Sequence, residues 1–463
     1  NFSVLHDPIF KLVYASILPF SRLICILLCW TLAALALKRI PEKKRQFIKV
    51  LELDSLAGPP RFPIRFIGNA FQIPAPKYIM ETCLNWCKKY EHCFRFTAFG
   101  MECVVISDPL LAQSLLSSYD IGHANRASTY KFLEGFEGLA FSNGRKWQTL
   151  KKLIAPAFHF KSVEFKIRTF NTHSNKFVQN LGRLADQDGM IRTKSITKLL
   201  GSYAVQSVID SVITLPGSCN DDDTDRFVKS FKRYTEILSH RILNPWLTIR
   251  FFWKFHPLST EFDEAIKGMN SFAHILIQNH MAKKSTQANE LHEKEDHCLV
   301  SQMLENNASF EEIQTEVTTM LFAHESNTLS LLYFLLMLAL HPEHQEKCRE
   351  EVDQIVNDGA LNFNDLSGLK YMERCFLETL RLLPPVFMFG RQLGSPLCLK
   401  NNITLPTGTN VYVCPLAMHK DEKYFPNPES FNPDRFLPEE CKQRHQYAYL
   451  PFSAGPRVCP GES

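Results

Sequence analysis

Phe452-Ser453-Ala454-Gly455-Pro456-Arg457-Val458-Cys459-Pro460-Gly461 sets one cysteine in a frame of two glycines and two prolines near the C-terminal end of the chain. Glycine accepts positive φ and proline fixes its own, so the stretch reads as a tight turn. Arg457 lies two residues before the thiol. A cysteine beside a cation, in a turn that opens a helix, is expected to have a depressed pKa. A thiolate held this way is a metal ligand or a nucleophile. A cysteine in an arbitrary sequence is more often a buried structural residue; the turn chemistry argues against that here.

Composition sets the frame around this loop. The 463 residues, 45% of them hydrophobic, suffice for one large or two ordinary domains with a sizeable core. A formal charge of +4 makes no case for a nucleic-acid partner. The 14 cysteines are scattered without a C-x-x-C pair, which fits reduced thiols in a cytosol-facing protein rather than a disulfide framework. The chain begins at Asn1 and ends four residues after Cys459, and it reads as a fragment cut at both ends.

Leu12 to Leu37 is almost wholly apolar, broken by Pro19 and Arg22. Its cleanest part, Leu23 to Leu37, is about 22 Å of helix, so the residues before Arg22 must help to span a bilayer. Lys38, Arg39, Lys43, Lys44 and Arg45 follow and place that end in the cytosol. A cleaved signal peptide is the rival reading, given Ala34-Leu35-Ala36; the basic cluster favours an anchor. Ala57-Gly58-Pro59-Pro60-Arg61-Phe62-Pro63 reads as a stiff linker. The expected organisation is an anchor and basic flank over 1–45, a proline-rich hinge over 46–63 and a catalytic domain over 64–463. From Tyr78 onward helical patterns dominate, with strands expected at Cys93–Phe99, Glu102–Ser107 and Asn410–Cys414. Gln287–His297 and the aspartate-rich Cys219–Asp225 read as solvated loops. Leu247–Phe255, with Phe251, Phe252 and Trp253, reads either as core or as a surface that dips into a membrane, and the second is favoured.

Three further stretches carry chemistry. Trp147 and Lys151 stand one helical turn apart after Gly138-Leu139-Ala140-Phe141-Ser142 and before Pro156-Ala157-Phe158-His159-Phe160. Glu378 and Arg381 share a helix face at i, i+3, and Phe431-Asn432-Pro433-Asp434-Arg435-Phe436 follows downstream. Glu316 to His341 reads as one long apolar helix with Phe322-Ala323-His324-Glu325-Ser326-Asn327-Thr328 at its middle.

Together these resemble the cytochrome P-450 superfamily. The first loop matches F-x-x-G-x-R-x-C-x-G, the second pair resembles W-x-x-x-R with lysine for arginine, and the third matches E-x-x-R with its P-x-R-F element. The Pro-Ala-Phe-His-Phe run points to the family-four branch. The resemblance implies a mainly α fold with a small β region, behind an N-terminal membrane anchor helix and with a truncated C-terminal end. It implies that Cys459 is the thiolate on the iron of haem b, favouring O–O cleavage. Phe452 would cover the sulfur. Trp147, Lys151, Arg391 and Arg457 would hold the haem propionates. Glu378, Arg381 and Arg435 would form a buried structural network. His419 reads as a satisfied structural histidine rather than a ligand. On the distal helix, aligned on His341-Pro342-Glu343, Ala323 replaces glycine, Glu325 is the catalytic acid and Ser326 replaces threonine; an ungapped match from Glu316 puts Thr328 near the alcohol position instead. Phe322 stands where many family-four members carry an esterifying glutamate, so the haem is expected to be non-covalent.

The resemblance implies a monooxygenase of the endoplasmic reticulum membrane with its catalytic domain in the cytosol. NADPH electrons would come through NADPH-cytochrome P-450 reductase, with cytochrome b5 as a second partner. The substrate would be an apolar small molecule: a fatty acid, other lipid, steroid or xenobiotic. Two rival readings are a haem-thiolate isomerase or dehydratase, which needs no reductase, and a non-catalytic haem binder, suggested by the departures at Lys151, Ala323 and Ser326.

Overall fold

The computed structural model describes most residues from 56 to 462; residues 1–50 and shorter stretches, among them 62–67, 73–77, 119–124, 187–190, 287–297, 357–359 and 400–402, lie outside the described residues. The expected anchor, its basic flank and the polar 287–297 stretch fall there. The chain divides after Ser55, and the account below concerns the unit Leu56–Ser463.

A small sheet forms one end of the site. β1 (Cys93–Ala98) and β2 (Met101–Ile106) make a hairpin in the register Cys93↔Ile106 to Ala98↔Met101. Both faces of β2 are covered, and Cys103, Val104, Val105 and Ile106 are all buried. β6 (Asn410–Val413) pairs parallel to β2, and β3 (Phe389–Gln392) pairs antiparallel to β6, giving the order β1-β2-β6-β3. β4 (Leu397–Cys398) and β5 (Thr404–Leu405) form a separate pair. Part of the expected hinge is stitched to this sheet. Arg95 N–H donates to Ala57 O at 3.0 Å, and Asn69 Nδ2 donates to Pro59 O and Pro60 O at 3.3 and 3.0 Å.

Helices make up the rest. In chain order they include α1 (Ile79–Tyr90), α2 (Pro109–Leu116), α3 (Gly144–Ile154), α4 (Phe160–Leu184), α5 (Thr193–Val208), α6 (Asp221–Leu243), α7 (Arg250–Lys254) and α8 (Leu258–Thr286). Then come α9 (Leu299–Glu305), α10 (Phe310–Phe322), α11 (His324–Leu340), α12 (Pro342–Ile355), α13 (Lys370–Leu382) and α14 (Pro415–His419). The aromatic content is spent where α6, α8 and α10 meet: Phe227 stacks on Phe272 at 4.9 Å and Tyr234 on Phe262 at 5.0 Å. α10 starts with a reciprocal cap between Ser309 and Glu312, which satisfies two otherwise orphaned backbone donors.

Three sequence expectations need correction. Asp221, Asp222 and Asp223 are not a solvated loop but the first turn of α6, capped by Asn220, whose side chain accepts from Asp223 N–H at 2.8 Å. Negative charge is favoured at the N-terminal end of a helix dipole. The long helix from Glu316 to His341 is two helices, α10 and α11, interrupted at Ala323. Leu247–Phe255 divides by residue: Leu247 and Trp253 are core, while Phe251 and Phe255 are 67% and 72% exposed. Among the described residues, one helical run is long and apolar enough to cross a membrane, Phe310–Leu340, and it includes that interruption.

Candidate functional site

The cysteine loop is closed by its own backbone. Val458 N–H donates to Gly455 O at 3.1 Å and Cys459 N–H to Phe452 O at 3.0 Å. Gly455 has φ of 70°, and a Cβ there would lie 1.9 Å from Leu116 O at the end of α2, so the position admits only glycine. His419 anchors the approach to the loop: its Nε2 accepts from Leu450 N–H at 2.9 Å, while Nδ1 finds no partner. Burial holds the His419 pKa down to about 3, so the ring is neutral, structural and only half satisfied.

The expected depressed pKa at Cys459 is not found. Crowding by protein atoms pushes the thiol up, and the Gly461 amide only partly opposes this. Arg126 lowers it slightly, whereas Arg457 is engaged elsewhere. Its guanidinium donates to Leu139 O at 3.1 Å, to Ser142 O and to Asn143 Oδ1, and lies 4.1 Å over the Trp147 ring. The cation therefore braces the turn before α3 instead of facing the sulfur, and residues after Cys459 form a 3-10 turn, Pro460–Glu462. A metal bound here would deprotonate the coordinating thiol outright.

Cations converge beside the loop. Lys151, one turn after Trp147, donates to Pro456 O at 2.7 Å. Arg391 on β3 is 2% exposed and donates to Ser453 Oγ at 3.2 Å. Arg126, which the sequence reading passed over, bridges to Arg391 across the sheet edge and donates to Ala140 O at 2.7 Å. Burial first, and then the neighbouring guanidiniums, pulls Arg391 down to about 9 and Arg457 to about 8. Like charges held this close favour an anion among them. An iron porphyrin asks for a soft axial donor and for cations to hold two carboxylates. Cys459 offers the first and Arg126, Arg391, Arg457 and Lys151 the second, so the residues present fit haem.

Behind the loop, Arg381 makes a two-armed pair with Glu378 at 2.7 and 2.8 Å, both side chains fully buried. Arg435 Nε approaches Glu378 Oε1 at 3.3 Å, and Asn432 N–H donates to the same oxygen at 2.9 Å. Arg381 also donates to His419 O at 2.7 Å, tying the network to α14.

At the junction of α10 and α11, Ser326 Oγ donates back to Ala323 O at 2.8 Å, and Thr328 Oγ1 to His324 O at 3.0 Å. Glu325 has a half-exposed side chain, yet burial still raises its pKa. His324 is buried against Phe231 at 4.6 Å, and burial holds its pKa down to about 4. Phe322 closes an aromatic wall with Phe136 and Phe141 at 4.8 and 5.6 Å.

A family model described as cytochrome P-450 matches residues 57–463. A probable cytochrome P-450 4aa1 of Drosophila melanogaster is 32% identical over 418 residues, covering 88% of this chain and 79% of that protein. Cytochrome P-450 4V2 of Homo sapiens is 30% identical over 455 residues, covering 92% of this chain and 83% of that protein. Cytochrome P-450 4c21 of Blattella germanica is 29% identical over 445 residues, covering 92% and 85%. A match of this extent, on a mainly helical fold with a glycine-framed cysteine beside a buried cation cluster, makes the chain a member of the cytochrome P-450 family of haem-thiolate monooxygenases.

Proposed function

We propose that this chain inserts one atom of O2 into an apolar substrate, a fatty acid or other lipid, with NADPH electrons delivered by NADPH-cytochrome P-450 reductase and assisted by cytochrome b5. The observation that carries this reading is the interruption of the distal helix at Ala323, bridged by the Ser326 hydroxyl and flanked by an aromatic wall. An isomerase needs no proton relay. Haem b, held without a covalent bond, supplies the oxygen chemistry, and the protein supplies its ligand, orientation and protons.

In this assignment Cys459 would hold the haem iron through its sulfur. Phe452 covers the sulfur. Trp147, Lys151, Arg126, Arg391 and Arg457 would hold the haem carboxylates. Glu378, Arg381 and Arg435 keep the loop's support rigid. Phe136, Phe141, Phe231 and Phe322 suit a hydrocarbon, and exposed Phe251 and Phe255 suit contact with lipid, consistent with an endoplasmic reticulum membrane location and a cytosolic catalytic domain. The decisive experiment supplies labelled O2 and purified reductase. Label in a lipid product, dependent on NADPH, is expected. Rearranged product without NADPH consumption points to an isomerase instead, and no turnover of any substrate points to a haem binder.

Glu325 and Ser326 are assigned to proton delivery. A carboxyl whose pKa is raised holds its proton nearer neutrality and can pass it through water to a hydroxyl. Serine lacks the methyl that fixes the rotamer of threonine, so the relay is looser. Ser326→Ala is expected to divert more NADPH to hydrogen peroxide, and Ser326→Thr less. Equal peroxide yield in both variants removes Ser326 from the relay.

A further inference from the structure

We propose that Cys83, Cys87 and Cys414 form a three-thiolate site for a soft monovalent cation of the copper(I) class, separate from the haem ligand. Cys83 and Cys87 lie four residues apart on α1, so both thiols share one face of that helix. Cys414 follows β6, and its amide prolongs the parallel pairing with β2 by donating to Ile106 O at 2.9 Å. The packing of α1 against the sheet and α14 brings the three sulfurs within 4.8 Å of one another. Cys414 is fully buried, and Cys83 and Cys87 are 7% and 5% exposed, so the site lies just beneath α1.

A buried thiol is ordinarily a small hydrophobe, and a chance contact between two is unremarkable. Cys348 and Cys375 in this protein are such a pair, 3.7 Å apart. The α1 cluster differs in having three members, all within reach of one ion, packed in a hydrophobic cluster with Phe94, Val105, Ala127 and Tyr412. The donor set selects the ion. Structural zinc closes its shell with four ligands, and iron–sulfur clusters are held by four cysteines. No fourth cysteine, histidine or carboxylate joins the three among the described residues. The hydrophobic packing around the three sulfurs favours an ion that needs no fourth ligand. Soft sulfur donors select copper(I) over harder ions, and copper(I) is content with three ligands. Each thiol that becomes a ligand releases one proton to solvent, and no electron is transferred.

The test uses the haem-loaded full chain, so that Cys459 is already occupied. It is titrated anaerobically with copper(I) against a coloured copper(I) chelator. One copper per chain is expected to be retained. Cys414→Ser and Cys83→Ser are expected to weaken retention by at least about tenfold, since loss of even an outer partner costs that much. Cys398→Ser and Cys441→Ser, which remove exposed thiols, are expected to change nothing. X-ray absorption at the copper edge of the wild-type protein is expected to show three sulfur neighbours and no nitrogen or oxygen; that measurement stands even where a serine variant fails to fold. Copper stripped from the wild type, copper retained by Cys414→Ser, fewer than three sulfurs at the metal, or a disulfide among the three each overturns the proposal.

Discussion

Cys459→Ala, reduced and exposed to carbon monoxide, is expected to lose the red-shifted band of a thiolate-ligated haem completely and to lose oxygenase activity with it. The loop is closed by backbone bonds, from Cys459 N–H to Phe452 O and from Val458 N–H to Gly455 O, and its approach is pinned by His419. Alanine keeps all of these. Haem that Arg126, Arg391 and Arg457 would still hold through its carboxylates is therefore expected to bind weakly, without the donor that pushes electron density onto the iron. Cys459→His restores a ligand of a different kind and is expected to bind haem while leaving the band unshifted. Cys398→Ala and Cys441→Ala remove the other exposed thiols among the described residues and are expected to be silent. A thiolate band that survives in Cys459→Ala and disappears in either of those two would falsify the ligand assignment.

How far the site was legible depended on how local its physics is. The loop could be read because Gly455, Pro456, Pro460 and Gly461 act on their own backbone. The Glu378–Arg381 pair could be read because i, i+3 spacing on a helix is a local rule. Arg126 could not. Its sequence context, Asn125-Arg126-Ala127, carries no pattern, and only its pairing with Arg391 across the sheet edge brings it to the site. The direction of Arg457 was illegible for the same reason. Its partners, Leu139 O, Ser142 O and the Trp147 ring, come from the distant segment that leads into α3. Two residues of separation suggested a cation under the sulfur, whereas tertiary packing turned that cation away and left the thiol pKa raised.

The two helix errors have different causes. Asn220 before three aspartates is an N-cap signal, masked by the polarity of the run. The interruption at Ala323 has no glycine or proline to announce it. Side chains at the start of α11 return to the backbone there, Ser326 to Ala323 O and Thr328 to His324 O, and such bonds compete with continued helix. The neighbouring packing of His324 against Phe231 supports the same geometry. Hydrophobic periodicity alone does not contain that information.

The largest stability effect is expected at Glu378. Its carboxylate receives two bonds from Arg381, faces Arg435 Nε at 3.3 Å and accepts from Asn432 N–H, with no solvent access. Glu378→Ala strands two guanidiniums and one amide in the interior. Breaking a buried pair by removing one partner costs about 3–5 kcal/mol, because the remaining charge is uncompensated. Stability lost on this scale is a large part of what a folded domain of any size possesses. The damage is expected to reach the cofactor as well, since Arg381 also donates to His419 O and His419 receives Leu450 N–H just before the cysteine loop. Glu378→Gln keeps one oxygen for hydrogen bonding but loses the charge, and is expected to fall between the wild type and Glu378→Ala. Chemical denaturation followed by haem absorbance and by helix content separates the two consequences. Haem release that precedes loss of helix in Glu378→Ala is the expected order, because the network braces the loop more directly than it braces the helical core. A Glu378→Ala protein with the wild-type unfolding midpoint would show that the pair carries no net structural load, and the bracing role would have to be withdrawn.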